Sequence, residues 1–461
     1  MTTTRKLITQ IRSSKIFQDS TWAVLGSAVS KAAAMVVGII IARLLGVEAF
    51  GEYGMVKSTL FYIAVFSTFG LGSTSTRYMA LCPQDDYQAV VKIIRNSITI
   101  TLMTSSVMAV LLFIFAGVIT TEPHLVAILR YTALIVVFNA INTTQIGLLS
   151  GLKLFKAIAT NNALSGLATF IMGPLLTLYW GLNGAVLSLF TATVFQCILN
   201  HIAISKYLRS IAGKAAEQSQ ESEHTSLSSL FLFSLPIALQ ECVYASASWI
   251  RVMMVTTLAS YSQLGLYTAT NQCHLIIIFI PGVLRSVILS HLSSTMGDAK
   301  QHSKTLTTML KTNLICTLIP AVGIAVLSPV IETIYGESFA GLVPVLIVTA
   351  VVSIFESISD TYVQEFITHG KNWIVLCGYV IRNYGSLLIA LPLLLNYGAE
   401  HGAFMAYSAI LITQIVYCLM LHLIYRKSIT FVGVPEAFVK ASISKVTRIY
   451  PSVSTVVVTP A

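Results

Sequence analysis

The sequence predicts an all-α polytopic membrane protein, and three observations lead there. Hydrophobic residues make up 55% of the 461-residue chain and charged residues only 10%, against about 25% charged in an ordinary soluble domain. Apolar windows recur along the whole length, each approaching the ~20 residues that a helix needs to cross a ~30 Å hydrocarbon layer. Lysine and arginine gather in alternate loops, as they do in a chain that crosses a membrane repeatedly. No stretch is left over for a separate soluble domain.

Spans are expected at about 20–45, 55–78, 93–117, 125–149, 158–180, 184–205, 230–257, 264–290, 305–327, 341–367, 373–396 and 402–425, about twelve helices in all. The first follows a basic stretch, as a signal peptide would. It is too long for an h-region and many spans follow it, so it reads as an uncleaved helix. It ends in "ARLLGVEAFGEYG" (42–54), whose glycines permit a tight reversal into the second helix.

Charge sets the orientation. Arg5, Lys6, Arg12, Lys15, Arg77, Lys92, Arg95, Lys153, Lys156, Lys206, Arg209, Lys214, Lys300, Lys304, Lys371 and the basic residues of the tail all fall on one side of the twelve spans. The loops of the other side, "GVEAFGEYG", "VITTEPHL", "GLN", "ASYSQ", "SPVIETIYGESFAG" and "NYGAEHG", carry no lysine or arginine. Such a bias places both termini in the cytoplasm. It also accounts for most of the formal charge of +10, so nucleic-acid binding loses its main support. The polar stretch at 213–229 divides six helices from six. The expected organisation is an N-terminal bundle at 1–212, a cytoplasmic linker at 213–229, a C-terminal bundle at 230–427 and a cytoplasmic tail at 428–461.

The halves echo each other. "LLGVEAFGEY" faces "LASYSQLGLY", matching Leu44 with Leu258, Gly51 with Gly265 and Tyr53 with Tyr267. A shift of 218 later in each half aligns Lys153 with Lys371, Pro174 with Pro392, Gly184 with Gly402, Ala185 with Ala403 and Gln196 with Gln414. Two six-helix repeats of the same orientation are related by an axis along the membrane normal and can rock about a central cleft.

The segments 42–80, 147–166 and 262–298 resemble the bacterial flippases that move lipid-linked O-antigen and related polysaccharide repeat units. The resemblance covers most of the chain, and 42–80 is its most specific part. It places the chain in the polysaccharide transporter branch of the multidrug, oligosaccharidyl-lipid and polysaccharide exporter superfamily. It implies a MATE-like fold, two pseudo-symmetric six-helix bundles around a central cavity. It also implies a multi-pass protein of the bacterial inner membrane in lipopolysaccharide biosynthesis. The implied substrate is an undecaprenyl-pyrophosphate-linked oligosaccharide, and the implied partners are a polysaccharide polymerase and a chain-length regulator.

Eight basic residues are left to the spans: Lys31, Arg43, Lys57, Arg130, Arg251, Arg285, Lys311 and Arg382. A charge at the bilayer centre costs about 2.5–3.5 kcal/mol even on lenient scales, so it should face a cavity or a partner. Lys311 can snorkel to the cytoplasmic surface, and Arg43, Lys57 and Arg285 lie near helix ends. Lys31, Arg251 and Arg382 are the main candidates for an anionic headgroup, with Lys57 and Arg130 on the outer approach. Arginine suits phosphate because its planar fork can hold two oxygens. The competing reading for Arg382 is an ion pair with Glu356 or Asp360.

The interior acids are Glu241, Glu356, Asp360 and Glu365. Glu356 and Asp360 share a helical face with Ser353, Ser357 and Gln364, a stripe expected to face water. Asn139, Asn142 and Thr143 form another stripe, as do Thr268 and Asn271, and for these amides the competing reading is interhelical hydrogen bonding. Glu241 and Asp360 are the candidates for ion coupling, against a structural counter-ion role. The chain has no G-x-x-x-x-G-K-[ST] loop, so transport must draw on a gradient or on substrate removal.

Other classes fare worse. A multidrug cation exporter of the same superfamily should show an acidic, aromatic cavity, whereas basic residues dominate here. A scaffold would need no charge inside the membrane. No catalytic, metal or cofactor site is expected. His201, His274 and His291 lack metal-like spacing, and the seven cysteines include no CxxC pair. A glycan ligase or polymerase would need a larger outer loop than any present.

Overall fold

The computed structural model describes residues 15–68, 70–82, 86–212, 227–296 and 298–429, with side chains left undescribed at 15–32, 227–237 and a few further positions. Most of the predicted linker and tail, and the side chain of Lys31, lie outside this set. The described chain is helical almost throughout and contains no strand. In order it forms α1 (Lys15–Thr68), α2 (Leu71–Leu81), α3 (Tyr87–Ile119), α4 (Pro123–Gly151), α5 (Phe155–Ala212), α6 (Leu227–Leu258), α7 (Tyr261–Ile277), α8 (Phe279–Ser294), α9 (Ala299–Tyr335), α10 (Leu342–Thr368) and α11 (Asn372–Ile429). Helix α6 thus begins three residues inside the predicted linker.

Three of these helices are too long to be single spans. At 1.5 Å per residue, the 58 residues of α5 would reach roughly 87 Å, nearly three bilayer cores. Each breaks where the sequence places a turn. In α1 the break is Gly46, with φ 77° and ψ 171°, a region essentially reserved for glycine. Helix α5 breaks at Gly181 and folds back, since Asn161 donates to Asn200 at 2.8 Å across the break. Helix α11 breaks at His401. There the side chain of Gln263 accepts from the Ala403 N–H at 3.0 Å and donates to the Glu400 carbonyl at 2.8 Å.

Seven described helices, eight when α7 and α8 are joined across their 49° bend, are long and apolar enough to cross a membrane. With α1, α5 and α11 read as hairpins and α6 as a further span, the elements fit twelve crossings. The outer faces are apolar: Met103, Val107, Val110, Ile114 and Val118 of α3 and Ile319, Val322 and Val326 of α9 are exposed at helical spacing, as lipid contact requires.

The two lobes meet at the lysine-free end. The second half of α1 packs along α7 so closely that a β-carbon at Gly51 would overlap the Tyr261 carbonyl and one at Gly265 would overlap the Val47 carbonyl. The contact maps onto itself when 47 and 51 exchange with 261 and 265, the symmetry the repeat implies. Thr120 and Tyr261 hydroxyls lie 3.1 Å apart across the same junction. One apolar core runs through both lobes here, from Ile41, Phe50 and Met55 to Leu264, Phe339 and Leu346. Toward the basic end the cores separate. Met79, Val90, Leu148 and Ile204 form one in the first lobe, and Tyr362, Phe366, Val375 and Leu421 form another in the second. The lobes nevertheless stay in contact beyond the lysine-free end: Trp249 Nε1 donates to Thr59 Oγ1 at 3.3 Å, the Tyr62 and Tyr244 rings lie 6.3 Å apart, and a β-carbon at Gly70 would stand 3.0 Å from the Ala238 β-carbon.

Candidate functional site

Charged side chains concentrate among α6, α7, α8, α10 and α11 of the second lobe, of which α6 and α7 pack against α1. Arg251 lies seven residues before Leu258, the lysine-free end of α6, and is buried (6% exposed). Its Nη2 donates to Ser386 Oγ of α11 at 2.7 Å, while its Nε has no hydrogen-bond partner among the described residues. No carboxylate pairs with it there. Tyr62, Tyr244 and Tyr407 lie within its electrostatic reach.

Deeper toward the basic end, Arg382 of α11 donates to Gln414 Oε1 at 3.1 Å. Its guanidinium sits 5.0 Å from the Tyr379 ring centre and 5.6 Å from that of Tyr417, a cation–π sandwich. The ion pair that the sequence allowed between Arg382 and Glu356 or Asp360 is not formed. Asp360 instead accepts two bonds from Arg285, Nε at 3.0 Å and Nη2 at 2.7 Å. Glu356 lies 3.1 Å from His274 Nε2, and His274 Nδ1 is held at 2.9 Å by Ser353 Oγ. Arg382 influences Glu356 only at longer range.

This arrangement corrects the expected water-facing stripe on α10. Ser353, Ser357, Asp360 and Gln364 are all buried, because α7, α8, α9 and α11 supply polar partners for that face. Asn313 of α9, for example, donates to the Ser357 carbonyl at 2.8 Å. In the α4 stripe Asn142 is packed in the same way, whereas Thr143 is exposed: Asn142 donates to Gln196, Gln196 to Asn162, and Asn200 to Asn142, at 2.7–3.0 Å. Interhelical bonding, the competing reading for these amides, is what Asn142 does.

Lys57 is also relocated. The sequence put it near a helix end, but the helix starts directly after Gly46, so Lys57 is eleven residues, about 16 Å, from the turn. It is exposed. Tyr244 of the opposite lobe, also exposed, sets its ring edge against that of Tyr62, with ring centres 6.3 Å apart. Lys57 lies 5.7 Å from the Tyr53 ring centre.

Arg130 stands apart from this group, on the exposed face of α4 with its guanidinium 5.7 Å from the Phe113 ring. Glu241 is exposed on α6 and forms no ion pair among the described residues. The residues that sequence reasoning passed over are His274, Arg285 and Gln414. Each acts through a partner at least 32 residues away, and only the match of Gln414 with Gln196 hinted at one of them.

A family model described as "Polysaccharide biosynthesis protein" matches residues 16–289. No curated protein sequence matches significantly. Among solved structures, the chain is similar to an inward-facing multidrug resistance MATE family transporter of the MOP superfamily, with TM-score 0.69, 14% identity and coverage of 88% of this chain and 98% of that one. An outward-facing MATE family transporter of that superfamily gives 0.61 at 14% identity, covering 89% and 94%. The lipid II flippase MurJ in an inward closed conformation gives 0.66 at 15% identity, covering 88% and 87%. These likenesses establish the MATE-type fold of the chain.

Proposed function

Because the chain belongs to the polysaccharide biosynthesis protein family, we propose that it is a flippase for polyprenyl-pyrophosphate-linked oligosaccharide, O-antigen or a related repeat unit, in the bacterial inner membrane. The observation that carries this reading is the surplus of positive charge inside the second lobe. Glu356 and Asp360 are already engaged by His274 and Arg285. Arg251 is buried with a serine as its hydrogen-bond acceptor, and Arg382 with a glutamine. Lys57 is a further cation of the first lobe, exposed and beside the Tyr53 ring. Cations that are desolvated but lack a counter-charge in the protein suit an anion supplied by the substrate.

The pyrophosphate takes up Arg251 and Arg382, with Lys57 and Lys31 on the first lobe. The glycan occupies the space between the lobes and the lipid tail stays in the bilayer. With the basic end cytoplasmic, the lobes part at that end to receive the headgroup from the inner leaflet, and rocking about the Gly51–Gly265 contact releases it to the outer one. Glu241 and Asp360 are the proposed coupling carboxylates. The cation-exporter reading is disfavoured because the two central carboxylates have partners within the protein.

The test is surface polysaccharide production and headgroup flipping in vesicles by Arg251→Gln, Arg382→Gln and Lys57→Gln variants at matched membrane levels. The expected result is a loss of roughly tenfold or more for Arg251 or Arg382, about 1.4 kcal/mol of differential interaction. Unchanged flipping in all three would remove the charge-based mechanism. Imposed proton and sodium gradients should alter wild-type flipping and leave Asp360→Asn or Glu241→Gln unresponsive.

A further inference from the structure

The basic end of the second lobe holds a group that transport as proposed does not use. His302, in the first turn of α9, and Glu365, in the last turn of α10, are 7% and 2% exposed. His302 Nε2 lies 2.9 and 3.0 Å from the two Glu365 carboxylate oxygens. His369, directly after α10, places its Nδ1 3.0 Å from the Glu365 carbonyl oxygen and 3.5 Å from Glu365 Oε1. One nitrogen of each imidazole and one carboxylate oxygen all lie within 4.8 Å of one another.

His302 is engaged through both ring nitrogens. Thr295 Oγ is 3.1 Å from His302 Nδ1, and that hydroxyl also lies 3.2 Å from the His291 and Leu292 carbonyls. Nε2 is presented to the Glu365 carboxylate. The same pattern, one imidazole nitrogen tied to an oxygen and the other presented to a carboxylate-bearing cluster, orients histidine ligands in metal sites.

We propose that His302, Glu365 and His369 bind a divalent transition-metal ion, with Zn2+ the best match. Two imidazoles and a carboxylate suit a borderline ion and not Mg2+ or Ca2+, which select oxygen. Zinc–ligand distances of about 2.0–2.2 Å put ligand atoms of a tetrahedron roughly 3.4 Å apart, so the ion opens the 2.9–3.0 Å contact between His302 and Glu365 to that spacing and takes His369 Nδ1 from the Glu365 carbonyl. His369 is 38% exposed, and its side faces solvent, leaving the fourth position to water. The ion ties the first turn of α9 to the last turn of α10 and stiffens the second lobe at its basic end.

The test uses the full chain without a polyhistidine tag, purified in detergent, stripped with chelator and titrated with ZnCl2 by calorimetry and with CoCl2 by visible absorption. The expected result is one Co2+ per chain with the intense bands of a four- or five-coordinate ion, displaced by Zn2+. His302→Ala and Glu365→Gln should abolish binding, Thr295→Val should weaken it by roughly tenfold or more, and His124→Ala at the far end should leave it intact. Should the two buried variants fail to fold, the surface variant His369→Ala decides, with a weakening at least as large expected. Absence of a cobalt spectrum, or equal affinity in His369→Ala, would show that the histidine–glutamate pair holds only a proton and would overturn the proposal.

Discussion

Asp360 is 6% exposed and its charge is held by a guanidinium that is half exposed, 75 residues earlier in the chain. Removing Arg285 leaves the carboxylate buried without its two donors, which costs about 1–3 kcal/mol. Arg285→Ala should therefore lower the thermal midpoint in detergent, and adding Asp360→Asn should recover most of the loss, because the charge goes with its partner. This pairing could not be read from the sequence. Spacing along one helix reveals which residues share a face, as it did for Glu356 and Asp360. It is silent about which neighbouring helix supplies the counter-ion, and the nearer candidate, Arg382, turned out to stack between tyrosines.

At the scale of elements, turns were more legible than partners. The stop at "ARLLGVEAFGEYG" coincides with the break at Gly46, since an apolar run of spanning length must end and only glycine adopts φ 77° with ψ 171° without strain. Gly46→Ala should cost about 1–3 kcal/mol, measured as a lower thermal midpoint. Nothing is within van der Waals range of a β-carbon there, so the loss would report backbone strain alone. Gly265 differs, because a side chain there strikes Val47 of the other lobe. Gly265→Leu should hold the lobes apart at the lysine-free end, read as faster thiol labelling of a cysteine placed at Val47. The sequence matched Gly51 with Gly265 as repeats but gave no sign that the two touch opposite lobes. That fact belongs to packing and has no periodicity of its own.

The whole molecule is a duplicated fold with unequal interiors. Gln196 and Gln414 occupy matching places, each bonded across a hairpin, but the first joins asparagines and the second joins Arg382 and Ser359. The first lobe is thus held by neutral amides where the second carries charge. Asn142→Ala, which strips partners from Gln196 and Asn200, should lower stability by about 1–3 kcal/mol while flipping per folded molecule stays near wild type. Gln414→Ala frees the Arg382 guanidinium and should change flipping more than stability. Comparing both variants in vesicles, normalised to folded protein, separates the lobe that supports from the lobe that binds.

The reciprocal contact of Gly51 and Gly265 sets how tightly such a machine can shut. Backbone lies against backbone there, with the Val47 side chain alongside Gly265. Side-chain rotation, fast as it is, does not part the two backbones, so that end opens only when entire lobes separate.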